Sequence, residues 1–176
     1  MPDVFLERTF AEPVTLEVLK KMMTDSASCL SIYSAEWQQS LLSNDGRKLY
    51  CHFQAPDLEA MRNVMRFSNS DYQDIWSCEL HDTGAEGEVN VLVERSWDEP
   101  VRLEDVAAIE EEGAWCLEAH NVTFLRTFFS EDHKRMICLY RAADAESVRQ
   151  SQNKANMPYE DVWSFQHLTP ALLFPI

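Results

Sequence analysis

Apolar and polar residues alternate from Val4 to Phe10 (VFLERTF), the two-residue period of a β-strand. Pro13 and Thr15 then announce a helix, in which Leu16, Leu19, Met22 and Met23 share one face while Glu17, Lys20 and Lys21 take the other. Two strand-like runs follow, Ala35 to Leu42 and Lys48 to Gln54, around the hairpin signal Asn44-Asp45-Gly46. Ala55-Pro56-Asp57 opens a second helix with Asp57 as its N-cap, and Asp74 to Cys78 supplies a last short strand. The predicted order is βαββαβ, the split-βαβ or ferredoxin-like unit.

The whole pattern then repeats. Sliding the chain by 87 residues aligns VFLERTFAEPVTLE with VLVERSWDEPVRLE, and SDYQDIWS with MPYEDVWS, with about 23 identities over 77 positions. In the second copy the first helix is predicted to end at EEEG, with Gly113 as a left-handed closing residue. The expected organisation is unit 1 over residues 1–80, a linker over 81–89, unit 2 over 90–167 and an apolar tail over 168–176. A four-stranded sheet with both helices on one face leaves its other face bare. The fold expected is therefore α+β, two tandem ferredoxin-like units forming an intramolecular α+β barrel. The tail ALLFPI is expected to pack on that barrel or on a second copy, as a homodimer.

Charge narrows the partners. The 176 residues carry 30 acids against 15 Lys and Arg, a formal −15 at pH 7, which repels phosphate backbones and anionic lipid. Nucleic-acid and membrane partners are not expected; a metal ion or a small molecule is. The N-terminus MPDVFLERTF lacks the apolar run of a secretory signal, and the five cysteines form no CxxC pair. A reducing, cytoplasmic setting is expected. No GxGxxG, P-loop, GxSxG or HExxH is present, which argues against a nucleotide enzyme.

The spacing VFLERTF…Trp37…Ser40…NDGRKLYCHFQAPDLEAMR…Tyr72…Asp74 resembles a small bacterial family of unknown function. Its markers here are Glu7-Arg8 and Glu94-Arg95 on the first strand of each unit, Cys51 and Cys138 in the third, and the Ala-x-Asp entry to the second helix. The resemblance implies single ferredoxin-like domains that usually pair as dimers, and one nickel-binding branch. Gly46, His52 and Asp71 become His133, Leu139 and Pro158 in the second copy, and no nickel ligand carries over to a named position.

Alternation also sorts the faces. Val4 and Leu6, with Leu49, Cys51 and Phe53, are expected under the helices, as are Val91, Val93, Met136, Cys138 and Tyr140. The opposite face, expected to line the barrel, then carries Glu7, Tyr50, His52, Gln38, Ser40 and Ser77 from unit 1. From unit 2 it carries Glu94, Thr127 and Ser164 beside Leu92, Leu125 and Phe129. A carboxylate there must pair, bind a cation or be protonated. Three roles follow as expectations. Glu7, His52 and Glu94 would hold nickel or another divalent metal. Gln38, Ser40, Ser77, Thr127 and Ser164 would line a ligand cavity. In a cofactor-free enzyme, Glu7 or His52 would act as base and Tyr50 as acid. The plainer reading has Glu7 and Glu94 in ion pairs with arginines. A binding protein for a metal or small molecule is the function expected, with the enzyme and a structural module as alternatives.

Overall fold

A computed structural model describes all 176 residues. They divide into two compact units, one of residues 1–78 with 166–176 and the other of residues 79–165.

Unit 1 runs β1 (Asp3–Thr9), α1 (Leu16–Ile32), β2 (Glu36–Ser43), β3 (Lys48–Gln54), α2 (Leu58–Phe67) and β4 (Asp74–Asp82), the last passing out of the unit after Cys78. Local chemistry sets these boundaries. Thr15 caps α1 through the Val18 N–H, and Asp57 caps α2 through the Ala60 N–H. Gly46, at φ 74°, turns the β2–β3 hairpin, where the Ser43 hydroxyl donates to Asp45 at 2.6 Å. The sheet order is β4-β1-β3-β2, with β1 antiparallel to both β3 and β4. Val4, Leu6, Leu49, Cys51 and Phe53 pack under the helices against Leu19, Met61, Val64 and Met65. The C-terminal segment belongs here too. Leu168 and Leu173 enter the same core, and Thr169 caps a short helix over Pro170–Leu173. The tail thus packs on its own chain.

Unit 2 repeats the plan with one change. It contains β5 (Val91–Ser96), α3 (Leu103–Glu112), α4 (Ala114–Ala119), β6 (Thr123–Ser130), β7 (Arg135–Arg141), α5 (Ala145–Lys154) and most of β8 (Asp161–Leu168). Where unit 1 has one 17-residue helix, unit 2 has two short ones broken at Gly113. Gly113 closes α3 as expected, but at φ −90° rather than in a left-handed turn. The lack of a side chain is what matters there, because a Cβ would come within 2.7 Å of the Ala155 Cβ beside α5. Arg102, in the place of Thr15, gives α3 no side-chain cap. The core of this unit gathers Val91, Val93, Val106, Met136, Cys138, Tyr140, Val148 and Val162.

Candidate functional site

The face of the unit 1 sheet away from the helices holds a polar chain. Burial lowers the pKa of His52, against the opposing pull of Asp3, so the imidazole is neutral near pH 7. The Gln39 amide Nε2 donates to His52 Nδ1 at 3.2 Å, which leaves His52 Nε2–H to donate to Asp3 Oδ1 at 2.8 Å. Gln39 Oε1 in turn accepts from His167 Nε2 at 2.7 Å. Glu7 and Tyr50 are opposite one another in the register on the same face, and Glu7 Oε2 accepts the indole N–H of Trp76 at 3.0 Å. In unit 2, Glu94 takes the Trp163 indole N–H in the same way, also at 3.0 Å. The two glutamates thus share one feature, an indole donor from the tryptophan at the matching position of each repeat.

The ligand-lining residues expected on this face are placed otherwise, for two reasons. A β-bulge between Trp37 and Gln39 reverses the alternation along β2. Ser40 therefore pairs with Cys51 on the helix side, where its hydroxyl contacts the Cys51 sulfur at 3.0 Å and accepts the Trp37 N–H at 2.8 Å. Gln38 is the extra residue of the bulge, and Gln39 takes the place across from His52. The matching bulge between Phe124 and Arg126 puts Thr127 opposite Cys138, with its hydroxyl bonded to Ile137 O at 3.0 Å. Phe129 likewise joins the helix-side core. In β4 and β8 the alternation runs one residue out of phase with the expected one. Ser77 pairs with Val4 and Ser164 with Val91, so Trp76 and Trp163 occupy the face assigned to the serines.

No group of three or more His, Cys, Asp or Glu side chains is placed to hold a metal ion. Cys51 and Cys138 are fully buried, and burial pushes both thiols up.

A different feature emerges at the end of β1. Arg8 shares the face of Val4 and Leu6, so its guanidinium runs under the helices and is only 4% exposed. Its one hydrogen-bond partner is the Met65 sulfur, 3.1 Å from Nη2, and Nε is buried with none. A thioether is a weak acceptor for a charged donor. Above it opens a cleft of about 550 Å³, lined by Arg8, Phe10 and Met22 within and by Glu12, Asp25 and Asp71 at the exposed mouth.

Arg95 is the equivalent residue of unit 2; its Nε is buried without a partner like that of Arg8, but both of its Nη nitrogens are bonded to oxygen. Nη1 donates to Pro158 O at 2.7 Å, while Nη2 donates to Gln152 Oε1 at 2.6 Å and to the Tyr140 hydroxyl at 3.2 Å. Glu110, whose carboxyl burial pushes up and Arg95 pulls back down, adds a countercharge. Gln152, Tyr140 and Glu110 stand where unit 1 has Met65, Phe53 and Met23. The corresponding cavity shrinks to about 220 Å³, walled by Trp97, Pro100, Ile109, Met157 and Pro158. In sequence Arg8 stands out only as a family marker. The signal that could have found it is the parity of VFLERTF, which puts Arg8 on the face of Val4 and Leu6.

Comparison with known proteins gives a family and a fold. The profile of the nickel-responsive, SCO4226-like proteins matches residues 5–77 and again residues 92–164. No curated protein matches the chain. Among solved structures, SCO4226 from Streptomyces coelicolor A3(2) aligns at 13% identity with a TM-score of 0.39, covering 48% of this chain and 99% of that one. Chlorite dismutase from Candidatus Nitrospira defluvii, in complex with imidazole, aligns at 11% identity and a TM-score of 0.56, over 97% of this chain and 93% of its own. A heme-binding protein from Thermus thermophilus aligns at 8% identity and a TM-score of 0.50, over 98% of this chain and 93% of its own. The last two alignments, at identities this low, speak for the α+β fold alone.

Proposed function

The chain belongs to the nickel-responsive, SCO4226-like family, and from that premise we propose that it is a small-molecule binding protein whose first repeat carries the ligand site. The observation behind this reading is Arg8. A buried charge without a countercharge or a full set of acceptors is costly, so a natural chain either supplies partners or takes them from a ligand. The second repeat supplies them to Arg95; the first leaves Arg8 against sulfur beneath a cleft of about 550 Å³, a size within the usual range of ligand pockets. In this reading unit 2 serves the fold and unit 1 serves recognition.

The test is a ligand-observed NMR screen of a mixed metabolite pool. Binders should lose their signal change in Ala11→Trp, which fills the mouth of the cleft without touching Arg8. Binders unaffected by Ala11→Trp would place the ligand elsewhere.

A second reading, a nickel-like divalent cation, draws on the family's nickel response and on His52. A neutral imidazole 2.8 Å from the Asp3 carboxylate offers two donors, with Glu7 on the same face as a third. Because no three such groups are placed to hold a metal ion, these side chains would have to turn away from Gln39 and Trp76 to bind. Calorimetric titration of the metal-free protein with nickel separates the readings. With the cleft as the site, no stoichiometric nickel binding that is lost in His52→Gln should be found.

A further inference from the structure

We infer that the Arg8 cleft takes a zwitterion of the free α-amino-acid type, its carboxylate on the guanidinium and its ammonium at the acidic mouth; this rests on the cleft being the ligand site. The lining has one cation at the floor and three carboxylates, Glu12, Asp25 and Asp71, at the exposed rim. Asp25 is salt-bridged to exposed Lys21 at 3.0 Å. A simple anion would reach Arg8 only past three like charges, and a simple cation would have to sit against a buried guanidinium. A ligand carrying both charges a few ångströms apart meets neither penalty. Charge-assisted bonds from the planar guanidinium suit a carboxylate, since the one contact it would supplement is to sulfur. Phe10 and Met22, both half-buried, leave an apolar wall for the ligand's side chain.

The second repeat supports the assignment by what it lacks. Asp71 is replaced by Pro158, whose carbonyl fills one arginine nitrogen, and Ser70 by Met157. Glu12 and Asp25 keep acidic counterparts in Glu99 and Glu112, but neither lines the smaller cavity, whose one acid, Asp105, stands in the place of Val18 and is bonded to Arg102 at 3.2 Å. In the second repeat the gain of floor acceptors thus goes with the loss of a rim acid, the pattern expected where no zwitterion enters.

Calorimetry tests this with the twenty protein amino acids, then with the N-acetyl and carboxamide derivatives of those that bind, and with acetate and phosphate. At least one free amino acid should bind. Blocking either charged end should weaken it by at least about tenfold, the loss expected for one charge-assisted contact. Arg8→Met should abolish binding. The double change Phe53→Tyr with Met65→Gln, which offers Arg8 the acceptors Arg95 has, should also abolish it in a folded protein. If acetate, phosphate or the blocked derivatives bind as well as the free amino acid, the zwitterion assignment fails while loss of that binding in Ala11→Trp keeps the cleft reading. If no amino acid binds, the assignment is overturned, and the metabolite pool with Ala11→Trp decides the cleft separately.

Discussion

Arg8 and Arg95 occupy matching positions of the repeat, each on the first strand of its own unit, and are about equally buried, at 4% and 2% exposure. One is bonded by a thioether, the other by a carbonyl, an amide and a phenol. The difference teaches that burial alone does not assign a role to a charged side chain. What surrounds it does, and a tandem duplication supplies its own control. The fold supports both versions of the site, so the costly version in unit 1 invites a partner from outside.

The largest expected break in the comparison comes from Arg95→Met. It strips partners from Gln152 and the buried Tyr140 hydroxyl, and urea unfolding should register a loss of about 4 kcal/mol. Next in size is the element that only unit 1 has. Leu168→Ala, at a fully buried position in the unit 1 core, should cost about 3 kcal/mol and lower the melting temperature accordingly. Met65→Gln sharpens the comparison from the other side. Giving Arg8 the amide that Arg95 has should stabilise the protein by about 1 kcal/mol in the same assay, while ligand binding weakens. The smallest effect concerns His52, which unit 2 replaces with Leu139. Burial holds its folded pKa below the ordinary value, so as pH falls through about 6.5 the unfolded chain takes up a proton before the folded one does. Stability should therefore decline below that pH, and thermal melts of His52→Gln should show a flatter decline.

Much of the fold was legible because it is local. Thr15, Asn44-Asp45-Gly46 and Asp57 act within a few residues of themselves, and the offset of 87 residues checks each signal twice. The faces were legible only as far as strict alternation holds. The bulges at Trp37/Gln39 and Phe124/Arg126 depend on pairing with β3 and β7 and leave no mark in their own strands, so alternation alone puts Ser40 and Thr127 on the wrong side. The Trp76–Glu7 and Trp163–Glu94 bonds join residues 69 apart and were equally out of reach. The Arg8 site needed the most. Parity puts the arginine under the helices, but only the packing reveals that Arg8 meets the Met65 sulfur where Arg95 meets Gln152 and Tyr140. Those substitutions look, in sequence, like ordinary drift between repeats.

The most direct measurement is Arg8→Met, followed at once for stability by urea unfolding and for ligand uptake by calorimetry. Stability should be unchanged or raised, since an underbonded buried charge gives way to an apolar side chain, and ligand binding should be gone. A loss of stability as large as that of Arg95→Met, with binding intact, would make Arg8 a second structural arginine and contradict the claim that the two repeats have divided recognition from support.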